Sequence, residues 1–247
     1  MIINEQYKLS LEKITASIKA SRYKRIAYDY DFEKSMLMLM AIGKGFCDDF
    51  EIDRDLIEPY TQMLKYFMSD DSFEGDLYRG LLLKGKMGCG KSIAFYVFHK
   101  FLQYAGISKY RHYNQPEPGE CTFNIVRCKD IRSIFEDTEP GRGGDNAIKH
   151  FKIHREIICF DDLGEEVRYG KTAMHYNNEC NVMEEILTAR YESFLRYGTI
   201  THCSTNYNFE SGNKRYFKDF YGERVEDRMK DMFNEITFKG ESKRKRI

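Results

Sequence analysis

From Leu77 onward, short apolar runs alternate with amphipathic stretches, which predicts an α/β domain built on a mostly parallel sheet. The run Gly80-Leu81-Leu82-Leu83 predicts a buried strand ending at Lys84, and the stretch from Ile93 to Tyr104 predicts the helix after it. Thr122 to Val126 reads as a second strand, with a Pro/Gly-rich loop at 115–119 before it and a helix around Ile131 to Phe135 behind it. Glu139 to Gly144 reads as irregular. Ile157 to Phe160 are four apolar residues followed by Asp161 and Asp162, the pattern of a strand buried on both faces with carboxylates at its C-terminal end. Leu163 to Cys180 is too long for a plain connection. Its Arg168, Tyr169, Lys171, His175 and Tyr176 suit either a solvated lid or contact with a DNA strand. Asn181 with Glu184 marks the start of a helix that closes at Gly198. Thr199 to Asn206 predicts another buried strand, Lys218 to Met232 a loop and helix, and Glu235 to Phe238 a last strand.

Residues 1–72 differ in pattern and read as helical. Leu9, Leu11, Ile14 and Ile18 recur at near-helical spacing. Lys19, Arg22, Lys24 and Arg25 then interleave with Tyr23, Tyr28 and Tyr30, a mixture that suits nucleic acid, an acidic partner or a solvated face. From Phe32, the stripe Met36, Leu37, Met38, Leu39, Met40 and Ile42 predicts a strongly apolar helix ending at Gly43 or Gly45. Such a stripe serves as core or as a partner-binding groove. Pro59 fits the first turn of a helix carrying Met63, Leu64, Phe67 and Met68. The expected boundary is Asp70-Asp71-Ser72. A main domain then covers 73–240, and a basic tail with Lys243-Arg244-Lys245-Arg246 covers 241–247.

Composition narrows the classes. Hydrophobic residues make up 42% of the 247, enough for a substantial core. Lys+Arg and Asp+Glu are both 39, so attraction to nucleic acid must come from local patches. Seven cysteines with no C-x-x-C pair point to reduced thiols in a cytosolic protein, and no apolar run suggests a membrane span. His150 and His154 form a close histidine pair with no cysteine beside it, which reads as surface and not as a metal site.

The chemistry concentrates at Gly85-Lys86-Met87-Gly88-Cys89-Gly90-Lys91-Ser92, which matches G-x-x-x-x-G-K-[ST] between a predicted strand and a predicted helix. Its glycines let the backbone turn tightly and aim N–H groups at one anion, and the helix start adds its positive dipole end. In such a loop Lys91 reaches the β- and γ-phosphates of ATP, and the Ser92 hydroxyl takes a place on Mg²⁺. Cys89, inside the loop, is expected to block phosphate entry when its thiol is modified. In a phosphate-loop enzyme Asp161 is placed to hold Mg²⁺, and Asp162 to orient or deprotonate the attacking water. Asn206, at the end of a later strand, could bond the γ-phosphate or that water, or form a turn. Arg224 and Arg228 lie one turn apart on one helix face. They suit action on a neighbouring subunit's nucleotide, or a salt-bridge face with Glu223, Glu226 and Asp227.

Taken together, these pieces resemble the AAA+ ATPases of the DnaC/DnaI/IstB group, helicase loaders and transposition helper ATPases. Gly85 to Ser92 resembles Walker A, Ile157 to Gly164 resembles Walker B in its Asp-Asp-Leu-Gly form, and Cys203-Ser204-Thr205-Asn206 resembles sensor 1. Tyr221-Gly222-Glu223-Arg224-Val225-Glu226-Asp227-Arg228-Met229 resembles the box that carries the arginine finger. The resemblance spans about residues 73–240. It implies an α/β P-loop AAA+ core with no full C-terminal lid. It also implies ATP and Mg²⁺ at a subunit interface, Asn206 sensing the γ-phosphate, and Arg224 acting in trans with Arg228 as runner-up. Two departures stand out: Asp162 replaces the usual glutamate, and little chain follows the arginine box. The implied protein is cytoplasmic, a homo-oligomer in its ATP state, and binds DNA, single-stranded for a loader. Its protein partner would be a replicative helicase, or a transposase if the chain is a transposition helper on duplex DNA. A phosphate-loop small-molecule kinase and a non-hydrolysing assembly factor are the other readings.

Overall fold

The computed structural model describes residues 11–15, 27–106, 108–110, 119–120, 123–153, 156–167, 172–176, 178–207 and 217–243. Expectations for Leu9, Ile18, Lys19, Arg22, Tyr23, Lys24, Arg25, loop residues 115–118, His154, Arg168, Tyr169, Lys171 and 244–246 lie outside these residues.

Among the described residues, a helical stretch at 11–15 is followed by two full helices. Helix α1 (Phe32–Phe46) is capped by Asp31, whose carboxylate accepts the Lys34 N–H at 3.0 Å. Helix α2 (Ile57–Met68) carries Pro59 in its first turn and ends at Ser69 in a left-handed conformation. Then follow β1 (Gly80–Gly85), α3 (Lys91–Tyr104), β2 (Ser108–Tyr110), β3 (Gly119–Glu120), β4 (Asn124–Arg127), α4 (Cys128–Phe135), α5 (Gly144–Lys152) and β5 (Ile158–Leu163). After β5 come β6 (Ala173–His175), β7 (Asn178–Cys180), α6 (Val182–Tyr197), β8 (Thr201–Thr205), α7 (Phe217–Met232) and β9 (Phe233–Phe238).

Strands β4-β5-β8-β1-β9, in that order, form one five-stranded sheet, parallel throughout. Side chains alternate across it. Leu81, Leu83, Cys159, Ile236 and Phe238 join one core with α1, α2 and α3, while Leu82, Ile158, Phe160, Cys203 and Phe233 join a second with α4, α5, α6 and α7. Both faces are covered, as a parallel sheet requires.

The boundary expected at residues 70–72 is a turn in the chain and not a break in packing. Tyr60, Leu64 and Phe67 of α2 share a core with β1 and α3, and Phe67 stacks on Phe98 and Phe123. Leu39, Met36 and Met38 of the methionine stripe lie on that core, whereas Leu37 is exposed. Two features differ from the pattern reading. The irregular stretch at 139–144 gives way to helix α5, whose Ile148 and Phe151 are buried, and part of the long connection after β5 is the β6–β7 hairpin.

The topology fixes where a site can form. The chain leaving β1 enters α3 on one face, and α7, the next described element after β8, packs on the other. Adjacent parallel strands whose connections depart to opposite faces leave a crevice beyond their C-terminal ends. Here that crevice lies between Gly85 and Asn206.

Candidate functional site

Residues 86–90 form the turn between β1 and α3. Gly85, Gly88 and Gly90 have φ of +156°, +81° and +106°. A Cβ on Gly85 would fall 2.4 Å from the Phe238 carbonyl oxygen, so β1 and β9 can approach at this level only because the residue is glycine. Among the described residues, no hydrogen bond engages the N–H groups of Gly88, Gly90, Lys91 or Ser92. This leaves a row of donors at a helix start, the arrangement that receives an anion.

Lys91, 4% exposed, spans the loop. Its Nζ donates to the carbonyl oxygens of Gly85 and Lys86, each at 2.9 Å, and to Asn206 Oδ1 at 2.7 Å. Burial draws its ammonium below the usual lysine range, and Cys89, Asp162 and Asp161 pull the other way. A triphosphate placed against the loop would restore the missing negative charge, so the residues present fit one. Ser92 is partly buried in the first turn of α3, and Lys86 and Met87 are exposed. Cys89 is wholly buried in the core beneath the loop, with Sγ 3.8 Å from Lys91 Nζ.

One hydroxyl organises the acidic pair. Ser204 Oγ on β8 donates to Asp161 Oδ1 at 2.5 Å and accepts the Asp162 N–H at 2.8 Å. Asp161 is only 2% exposed. The β5–β8 register shifts between Phe160 and Leu163, and Asp162, within the shift, has φ +56°. The irregularity turns Asp162 away from the regular ladder beside Asp161. Thr205 Oγ1 donates to the Leu163 carbonyl at 2.9 Å and closes the distortion from the other side.

A second set of contacts runs from this strand end to the helix that carries the arginines. Glu166, buried, accepts the Gly164 N–H at 2.8 Å and the Tyr221 hydroxyl. Arg132 donates to the Glu166 carbonyl at 2.6 Å. Burial holds the Glu166 carboxyl above its ordinary range, against the pull of these donors. Tyr221 is followed by Gly222, which breaks α7 with φ +76° and ψ +162°, and Arg224 begins the turn after the break.

The structure therefore brings Lys91, Asn206, Asp161 and Asp162 to one crevice, but not the arginines. Arg224 is exposed and makes no ion pair or hydrogen bond with a described residue. The Arg228 guanidinium lies over the Tyr191 ring, 5.1 Å from its centroid. The salt-bridge face expected for this helix does not include either, because Glu226 pairs with Lys230. Pattern reading missed the roles of Ser204, Glu166 and Tyr221. Ser204 and Tyr221 lie within the stretches 203–206 and 221–229, but only the folded register shows what they hold.

No family model matches the chain, and no curated protein matches it in sequence. Among solved structures it is similar to DnaI, at 13% identity over 80% of this chain and 89% of that one, with a TM-score of 0.51. A proposed primosome component from Streptococcus pyogenes serotype M3 aligns at 16% identity over 80% and 87% of the two chains, with a TM-score of 0.49. The DnaC helicase loader aligns at 14% over 78% and 95%, with a TM-score of 0.46. The chain has an α/β fold like that of DnaI, a parallel five-stranded sheet with helices on both faces.

Proposed function

We propose that the chain is a Mg²⁺-dependent ATPase of helicase-loader type, which assembles with copies of itself when ATP is bound and acts on DNA with a replicative helicase. The observation that carries this reading is the Lys91–Asn206 contact. It joins the phosphate loop to the end of the neighbouring strand, beside a buried Asp161 and a distorted Asp162. Magnesium, when bound with the nucleotide, supplies positive charge at the phosphoryl oxygens. On the protein side, Lys91 is held at the loop's centre to meet the β- and γ-phosphates. Ser92 and Asp161 offer oxygens to the metal. Asp162 takes or directs a proton of the attacking water, and Asn206 bonds the terminal phosphate in place of Lys91. Arg224, exposed beyond the Gly222 break, is free to serve the next subunit, and such a residue contributes about 10³–10⁵ in rate.

Mass measurement with a non-hydrolysable ATP analogue, with and without single- or double-stranded DNA, tests the reading. An oligomer that needs both nucleotide and single-stranded DNA is expected. Assembly on duplex DNA alone would indicate the transposition helper. A monomer with full, concentration-independent turnover would indicate a small-molecule kinase.

A further inference from the structure

The chain beyond β9 returns across the phosphate loop. The Lys243 N–H donates to the Gly88 carbonyl at 2.9 Å, and a Cβ on Gly88 would lie 2.3 Å from Ser242 Oγ. Glu241 pairs with Lys86 of the loop. The Lys243 ammonium pairs with Asp53, whose carboxyl it holds below the usual range. The other oxygen of Asp53 accepts the N–H groups of Asp55 and Leu56 at 3.0 and 3.2 Å, so Asp53 also shapes the turn that enters α2. Leu56 in turn sits 3.7 Å from where a Gly90 side chain would begin. Three segments far apart in sequence, 53–56, 86–90 and 240–243, thus meet on the outside of one loop.

What the contact uses decides its sense. It engages the carbonyl of Gly88 and leaves the N–H groups of Gly88, Gly90, Lys91 and Ser92 unengaged, and these are the groups an anion needs. A strap competing with phosphate would take the N–H side.

We propose that residues 241–243 are a clamp on the phosphate loop, with Lys243 and Asp53 as positioning residues that hold the loop in its phosphate-receiving shape. This rests on the ATP-binding reading above. A short glycine-rich loop has many open conformations, and a ligand's apparent affinity falls with the fraction of molecules that hold the competent one. Neither Lys243 nor Asp53 touches the nucleotide under this proposal; they act through Gly88, Lys86 and Leu56.

The test is the affinity of the full chain for a fluorescent ATP analogue by anisotropy, with the melting temperature of the free protein measured alongside. Lys243→Ala is expected to weaken binding about tenfold, equivalent to about 1.4 kcal/mol, with little change in melting. Lys243→Arg should restore it. Lys243→Pro, which also removes the N–H to Gly88, should weaken it at least as far. The charge swap Asp53→Lys with Lys243→Asp should recover affinity relative to Lys243→Asp alone. Amide exchange at Gly88 to Ser92 should rise in the weakened variants. If wild type binds and Lys243→Ala and Lys243→Pro bind equally well or better, the clamp is overturned and the ATP-binding reading stands. If wild type does not bind, both fall.

Discussion

Replacing Ser204 by alanine is the sharpest test of how the acidic pair is held. The hydroxyl is fully buried and makes two bonds, one to the Asp161 carboxylate and one from the Asp162 N–H. A hydrogen bond to a charged group contributes about 1.5–3 kcal/mol and a neutral one about 0.5–1.5. The substitution should therefore cost about 2–4 kcal/mol, a large part of the ~5–15 kcal/mol that keeps a domain folded. In urea, with a slope of about 3 kcal/mol/M, the unfolding midpoint should fall by about 1 M. Activity should separate from binding. Asp161 loses its tether and the distorted Asp162 backbone its anchor, while Lys91 keeps its contacts to the loop and Asn206. ATP hydrolysis in the assembled state should drop by one to two orders of magnitude, with nucleotide affinity within about threefold of wild type. A Ser204→Ala protein unfolding within about 0.5 kcal/mol of wild type, with hydrolysis intact, would refute the reasoning, because the hydroxyl would then not be what joins the two strands.

Lys91→Ala should abolish ATP-analogue binding, measured by anisotropy; retained affinity would remove the basis of the site. Arg224→Ala should keep ATP binding and lose hydrolysis, with partial recovery when mixed with Asp162→Asn subunits. Recovery absent at every mixing ratio would argue against a shared site. Arg190, wholly buried, donates to the carbonyls of Ile153, Glu156 and Ile200 and to Thr201 Oγ1 at 2.8–2.9 Å. Arg190→Met should therefore cost about 3–5 kcal/mol by stripping three carbonyls, that of Ile200 buried, of their donor, and a melting temperature near wild type would contradict this. For Glu166, the folded-state pKa lies above the unfolded value of about 4.3, so the folded form binds its proton more tightly. The cost of burying the charge is complete above the folded pKa and is relieved as pH falls toward the unfolded value. Glu166→Gln should remove that component, making the mildly acidic limb of stability against pH fall more steeply than in wild type. Superimposable limbs in denaturant titrations would show that Glu166 does not titrate in that window.

What the sequence made legible was whatever one stretch carries by itself. The strand, turn and helix around residues 80–104, the apolar run ending in Asp161-Asp162 and the strand that stops just before Asn206 each have a local period and a local terminator, and these elements form where the pattern puts them. Helix α5 was hidden because it opens on Gly143 and Gly144 and buries only Ile148 and Phe151 beyond its first residue, too few apolar positions to show a helical period. The packing of α1 and α2 onto the sheet was hidden for a different reason. An amphipathic helix shows which face it buries but not against what. The same holds at the site. Ser204 to Asp161, Glu166 to Tyr221 and Lys243 to Asp53 are contacts between residues 43, 55 and 190 positions apart. No spacing rule reaches that far.

The left-handed backbone at residue 162 bears on which acid can stand there. Aspartate and asparagine settle into that conformation more readily than longer side chains, because their short polar groups can bond the nearby main chain. The shorter carboxylate is thus matched to its own peptide geometry, and lengthening it to glutamate would extend its reach while straining the bend that aims it. Asparagine, by contrast, would keep the bend and lose the base. Under the proposed function, a subunit that folds, binds ATP and assembles but does not hydrolyse it should therefore be one oxygen-for-nitrogen exchange away.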